Sequence, residues 1–486
     1  MTSVSLLRNE AIWLRCFVER VALMHYPWWY VPVLTAPMLI AIIAVLHVLV
    51  SHYAVGGGLF FAVEVSHAYR TGNREYLAYL KRHAPFFILL TVVFGAITGV
   101  GIWWTIGLAS PLATEVLIRT FVFGWATEWV FFVLELTSAF IFYYYWDRLP
   151  PRTHQAIAWI YGISAWMSLV LITGITAFML HPGTWLQTPS FWRGFFNPQF
   201  VPQVISRTGG AILLTALYVY LHSSLTLPSG EVRNLIIRRS TRPALLGAVL
   251  ITSGGLAWLA FLPPSARMAL EAAAVLTVLM VLIFALTIVV FVLLYLGPYR
   301  NPGWMTPGFA VALLLFGLAA FSTGEFIREA VRKPYVVYGV VLGNQILEKE
   351  VPQFRKEGFL QSGRWTRQFV AEHYPQVMEN GHILPDKLLQ LSEQDRRLLG
   401  QVIFMHHCND CHAADTGYSA VGPLLFSRPR DMLVEMVRHL NETHYFMPPW
   451  SGTPEEAELV TDYLLSIAPE RPHGIYPTLE QLEARR

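Results

Sequence analysis

The sequence predicts an all-α protein: a polytopic bundle of about eight membrane helices, followed by a small α-helical domain outside the bilayer. Of its 486 residues 54% are hydrophobic and only 14% charged, a balance that ordinary soluble domains do not show. The apolar residues fall in long blocks as far as about residue 331, and beyond it no block could cross a membrane. The polar remainder holds one Cys-x-x-Cys-His pattern and helical stretches with one apolar face.

Blocks long enough to cross, at roughly 20 residues each, run over 33–67, 85–109, 120–146, 155–180, 204–227, 243–263, 268–296 and 306–330. Basic residues concentrate in alternate loops: Arg70, Arg74, Lys81 and Arg82 after the first block, Arg148 and Arg152 after the third, Arg233, Arg238, Arg239 and Arg242 after the fifth, and Arg300 after the seventh. These loops are cytoplasmic by the positive-inside rule. The other loops are richer in aromatics, notably Trp185, Phe191, Trp192, Phe195 and Phe196, as suits an outer interface. An even number of crossings then places both termini outside, in a bacterial cytoplasmic (inner) membrane. Ahead of the first block, residues 5–26 predict an amphipathic helix on the membrane surface, and the charged residues Arg8, Glu10, Arg15, Glu19 and Arg20 argue against a cleavable signal.

A net charge of +3, with most arginines in short loops, gives no basic surface for nucleic acid. Three cysteines make no disulfide framework, and Cys16 reads as a plain buried thiol. The other two, Cys408 and Cys411, belong with His412 to a haem-attachment pattern, in which two thiols add to the haem vinyl groups and the imidazole reaches the iron from one face. A helical stretch from Glu393 to His407 with Gly400, Ile403 and Phe404 precedes the pattern, and Gly422 and Pro423 follow it. Met447, Pro448, Pro449 and Trp450 come next, then a last amphipathic helix over Pro454 to Ile467. His406 and His407 are rival sixth ligands, but they stand too close to the attachment site to reach the far face of the haem. Residues 390–470 resemble a class I cytochrome c. That resemblance implies Met447 as the second axial ligand, and a thioether there raises the haem potential and suits electron transfer.

Inside the bilayer a His or Glu is costly unless it meets a cavity, partner or cofactor, so His47, His52, Glu64, Glu128, Glu135, His222, Glu325 and Glu329 are candidates for function. Glu128 and Glu135 share a helix face, as do Glu325 and Glu329, while His47 and His52 point apart. His83, His154 and His181, at block ends, read as interfacial, and His67 likewise.

Over most of positions 45–345 the chain is similar to subunit I of the cytochrome bd oxygen reductases. Ser51, His52 and Tyr53, followed by glycines and His67, Ala68 and Tyr69, resemble that family's first helix, and the resemblance implies His52 as a haem ligand at the oxygen site. Glu128 to Glu135, followed by Trp146, Asp147, Arg148 and Leu149, resemble its third helix. There Glu135 matches the acid associated with proton delivery, and Glu128 stands one position from a haem-site acid, where this chain has Thr127. Glu329 through Gly339, with Arg332, Pro334 and Tyr338, is similar to the family's E-x-G-R-Q-P-W-x-x-Y-G signature, which implies Glu329 as ligand of a high-spin b haem and Arg332 as a propionate partner.

Three departures matter. Only a few residues around Pro263, Pro264 and Arg267 stand where the quinol oxidases carry a long quinol loop. The low-spin haem histidine falls near Ser206 or Arg207, with Met268 as a loose counterpart of its partner. A ninth helix gives way to the haem c domain. The expected organisation is an interfacial segment over 1–30, a membrane domain over 31–332, a periplasmic linker over 333–390 and a cytochrome c domain over 391–486. The function so implied is a haem-based oxidoreductase carrying one covalent haem c and haem b or haem d in the bundle. It takes electrons from a periplasmic donor protein, reduces oxygen and works with a second bd-like membrane subunit. The alternatives are an electron-transfer subunit with no oxidant of its own, and quinol-to-cytochrome c transfer.

Overall fold

The computed structural model describes residues 29–31, 33–425 and 428–469, so the surface helix expected over 5–26 and Cys16 lie outside the described residues. The chain forms two compact units. The first is built on Ala41–Ile106 and Ala113–Gly339, and the second gathers Val340 onward with Gly107–Leu112 and the stretch ending at Ile40.

In chain order the first helices are α1 (Ala36–Thr71), α2 (Arg74–Ala109), the short α3 (Pro111–Thr120), α4 (Val122–Tyr144), α5 (Pro151–Phe178), the short α6 (Phe191–Phe195), α7 (Phe200–Thr226), α8 (Glu231–Ala260), the short α9 (Pro264–Ala272), α10 (Ala274–Arg300) and α11 (Pro307–Ala330). Among the described residues eight are long and apolar enough to cross a membrane, which are all of these but the three short ones.

Two helices begin well before their apolar blocks. α2 starts at Arg74, where the Asn73 side chain accepts the Tyr76 N–H at 2.9 Å, and it carries Pro85 inside. α8 starts at Glu231 and carries Pro243 inside. Proline removes one helical hydrogen bond, and in α2 a wide turn, Leu89–Phe94, follows it. The connection between α8 and α10 differs from expectation. Residues 268–272 belong to α9 and not to a crossing helix, because Arg267 and Glu271 favour the interface and the chain bends at Ala273 before the apolar run. Met268 is half-exposed on that connector.

Between helices in lipid, association depends on close packing, since lipid tails are as apolar as leucine. α1 supplies it with three successive glycines. A Cβ at Gly56 would lie 2.0 Å from the Ala211 carbonyl oxygen of α7, one at Gly57 2.3 Å from the Phe87 ring of α2, and one at Gly58 2.3 Å from the Tyr161 ring of α5. α7 and α8 approach backbone to backbone in the same way, at Gly209 against Gly247. The core of this unit gathers Tyr53, Phe61, Tyr79, Phe87, Phe142 and Tyr220.

The second unit holds α12 (Val351–Glu357), α13 (Phe359–Ser362), α14 (Arg364–His373), α15 (Pro385–Leu388), α16 (Glu393–His407), α17 (Arg430–Arg438), α18 (Leu440–Thr443) and α19 (Pro454–Ile467). A small hairpin pairs Met378 with Ile383 and Glu379 with His382 through Asn380 and Gly381, both at positive φ. α16 crosses α19 at Gly400, where a Cβ would lie 2.0 Å from the Leu459 carbonyl oxygen, and Ile403, Phe404, Leu459 and Val460 are buried around that crossing. The stretch expected as a linker is folded from Val340 onward. Phe354, Phe359 and Leu360 are buried, and the Glu456 carboxylate accepts the N–H groups of Phe359 and Leu360, both at 2.7 Å. Apolar residues at this spacing give the segment a face to bury, which a tether lacks.

Candidate functional site

His52 sits on α1, 5% exposed. Its Nδ1 donates to the Val48 carbonyl one turn back, at 2.8 Å, which leaves the lone pair on Nε2. That Nε2 is buried and meets no hydrogen-bond partner. A buried imidazole oriented through one nitrogen, with its other nitrogen unsatisfied, is the arrangement an axial haem ligand requires. Gly210 of α7 leaves room for it: a Cβ there would lie 2.7 Å from the Phe321 ring, and Phe321 packs edge-on against His52 at 4.8 Å.

His52 faces a cavity of about 410 Å³. Its walls are mostly apolar, with Ile251, Leu256, Phe284 and Phe291 from α8 and α10, while Gln203, Ser206, Arg207, Glu325 and Arg328 supply polar groups. Arg328 donates to Glu325 at 2.8 Å, and Arg207 reaches the hydroxyls of Thr173 and Thr176, each at 3.3 Å. An apolar slot with guanidinium groups beside it and one imidazole at its wall fits a haem, whose propionates suit arginine.

The structure thus brings His52 together with Glu325, and not with Glu329. Glu329 lies one turn further along α11, outside the residues lining the cavity, and Arg332 binds it at 2.5 Å. Arg332 also touches the Met179 sulfur at 3.4 Å. One helical turn carries a side chain about 5.4 Å along the axis, enough to shift Glu329 off the cavity wall. Glu128 and Glu135 do share a face of α4, turned to α5: Ser168 donates to Glu128 at 2.5 Å, and Glu135 lies beside Tyr161. Neither lines the cavity. Arg207, Gln203 and Arg328 were not among the candidates read from the sequence. The available signal was an arginine within the apolar block 204–227, as costly in lipid as the acids and histidines.

Of the remaining intramembrane candidates His47 and Glu64 find protein partners, while the buried Nδ1 atoms of His222 and of the neighbouring His83 meet none. His47 bonds Thr98 at 3.1 Å. Glu64 accepts from Tyr76 at 2.6 Å and pairs with Arg239. His83 and His154 are fully buried rather than interfacial. His83 bonds the Tyr53 hydroxyl at 2.9 Å and lies 4.5 Å, ring to ring, from His222, while His154 bonds Tyr69 at 3.1 Å and stacks on Phe142. α2 begins well before its apolar block, so His83 is interior to it, whereas His154 stays in the first turn of α5 and is covered there by Phe142 and Trp146. His181 bonds the Phe261 carbonyl at 2.9 Å.

In the second unit Cys408 caps α16, and the amides of Cys411 and His412 fold back on its carbonyl at 3.0 and 2.9 Å. His412 Nδ1 donates to the Ser419 carbonyl at 2.8 Å, which turns the Nε2 edge away from that carbonyl, as an iron ligand requires. Met447 lies in the stretch between α18 and α19, its N–H bonded to His444 at 2.8 Å. His407 is committed elsewhere: it is 6% exposed, bonds Asn344 at 3.0 Å and stacks on Trp450. Burial holds its imidazole down to about 4.

Residues 36–260 match the family model described as cytochrome bd terminal oxidase subunit I. The chain is similar in fold to a solved bd oxidase from Geobacillus thermodenitrificans, with a TM-score of 0.54 at 17% identity over 63% of this chain and 88% of that one. A comparison with curated proteins returns no match.

Proposed function

We propose that this protein, whose residues 36–260 match the family model described as cytochrome bd terminal oxidase subunit I, is the haem-bearing subunit of a membrane oxygen reductase fed with electrons through a haem c on its outer face. The observation that carries the reading is the buried, unpartnered Nε2 of His52 on a cavity with arginines in its wall. A haem b or haem d held there would supply the redox chemistry for oxygen reduction. His52 would hold its iron, Arg207 and Arg328 its propionates, and the apolar walls from α8 and α10 would keep bulk water out. Reduction of oxygen consumes protons, and Glu135 and Glu128 on the α4 face are the groups we assign to their delivery. Cys408 and Cys411 would attach the haem c, and His412 and Met447 would hold its iron. A thioether ligand favours electron transfer over gas binding. The c-type domain lies outside the cytoplasm, takes electrons from a periplasmic donor protein and works beside a second, bd-like subunit in the lipid bilayer.

Spectra of the purified, reduced protein before and after carbon monoxide, with pyridine-haem quantitation, test this. The expected result is one c haem plus a b or d haem whose spectrum shifts with carbon monoxide, with the CO-reactive species lost in His52→Ala and the c haem retained. A c haem accompanied only by CO-inert haems, or by none, sinks the oxidase reading.

A second reading, an electron-transfer subunit with no oxidant of its own, draws on Glu329. Its ion pair with Arg332, off the cavity wall, leaves it unsuited to an oxygen-site haem.

A further inference from the structure

The stretch that carries Met447 runs on through Pro448, Pro449, Trp450 and Ser451 to Thr453, the cap of α19. Within the second unit this stretch is held from three sides by residues that precede α16, outside the segment that resembles a class I cytochrome c. Arg355 on α12 donates through Nε to the Trp450 carbonyl at 2.9 Å. Asn344 bonds His407 at 3.0 Å, and His407 stacks on the Trp450 ring with centroids 4.9 Å apart and points Nε2 toward the Ser451 carbonyl at 3.5 Å. Glu456, 2% exposed, joins the N–H groups of Phe359 and Leu360 to that of Thr453, at 2.7, 2.7 and 2.9 Å. The chain at Gly358 passes so close that a Cβ there would meet Glu456 Oε1 at 2.9 Å, with φ at +93°, which favours glycine.

We propose that residues 344–360 form an integral clamp of the haem c site, with Arg355 and Asn344 acting as positioning residues that hold the Met447 loop so that its thioether stays on the iron. The inference rests on the haem c reading above. A methionine ligand at the end of a Pro-Pro-Trp loop is only as well placed as that loop, and the axial ligand sets the potential. A haem c domain cut free of residues 344–360 loses the hydrogen bonds to Trp450, His407 and the start of α13.

The test compares the full-length wild type with Arg355→Ala, Asn344→Ala and the double variant. Covalent haem is read on a denaturing gel and by pyridine spectrum, the sulfur-to-iron charge-transfer band is read in the oxidised protein, and the midpoint potential comes from redox titration. Arg355 is exposed and its replacement spares the core, so folding is preserved. Arg397→Ala, which removes an exposed arginine paired to Glu393 on α16, is the control for lost charge. The expected result is covalent haem in every variant, with a weakened band and a lowered potential in Arg355→Ala and Asn344→Ala, the largest change in the double variant and none in Arg397→Ala. Full band intensity and an unchanged potential in the double variant overturn the clamp. Absence of covalent haem, or of the band, in the wild type overturns the haem c reading itself, and the clamp with it.

Discussion

Glu456 illustrates how single buried groups set the behaviour of the second unit. Burial pushes its carboxyl up to about 7, although three backbone N–H groups donate to it. A folded-state value above the ordinary 4.5 means that the folded chain keeps a proton the unfolded chain has released. The stabilisation is complete below about pH 4.5 and is lost as pH rises through about 7, by up to about 3 kcal/mol. Thermal unfolding of the second unit, followed by circular dichroism from pH 4.5 to 7, is expected to show a falling midpoint in the wild type and a flatter one in Glu456→Gln. Parallel slopes would reject the assignment. None of this was legible in the sequence, where Glu456 is one of two adjacent acids at a helix start and only the fold turns one of them inward against α13. The Cys-x-x-Cys-His pattern of Cys408, Cys411 and His412 was legible, because its residues stand next to one another along the chain.

At the scale of elements, the glycines of α1 matter most. Gly56, Gly57 and Gly58 face three different helices in succession, as a rotation of about 100° per residue dictates. Gly56→Ala must displace the α7 backbone, and a loss of about 1 to 3 kcal/mol is expected, measured as a lower thermal midpoint in detergent. Gly107→Ala, where nothing lies within 4 Å, should instead keep or raise the midpoint. Equal behaviour of the two variants would show that the close approach is not a constraint. That eight helices among the described residues are long and apolar enough to cross a membrane followed from block length alone. The early starts of α2 and α8, and the separation of α9 from α10, did not. Caps and interfacial charges set those ends, and hydropathy is blind to them.

For the whole molecule, the distribution of arginines predicts that the second unit lies outside the cytoplasm. Protease added to spheroplasts is expected to release a haem-staining C-terminal fragment, while inverted vesicles protect it; cleavage only in inverted vesicles would reverse the topology. The sequence by itself determined the membrane class, the number of blocks long enough to cross, and the candidates His52, Cys408, Cys411 and His412, because each is a property of local composition or of residues adjacent in the chain. Tertiary structure alone decided that Glu325, Arg328 and Arg207 share a cavity with His52 while Glu329 pairs with Arg332. It alone folded the expected linker against α19. These outcomes depend on helix rotation and on contacts between segments far apart in the chain, where a single turn decides whether a charged side chain meets a cavity or another charge.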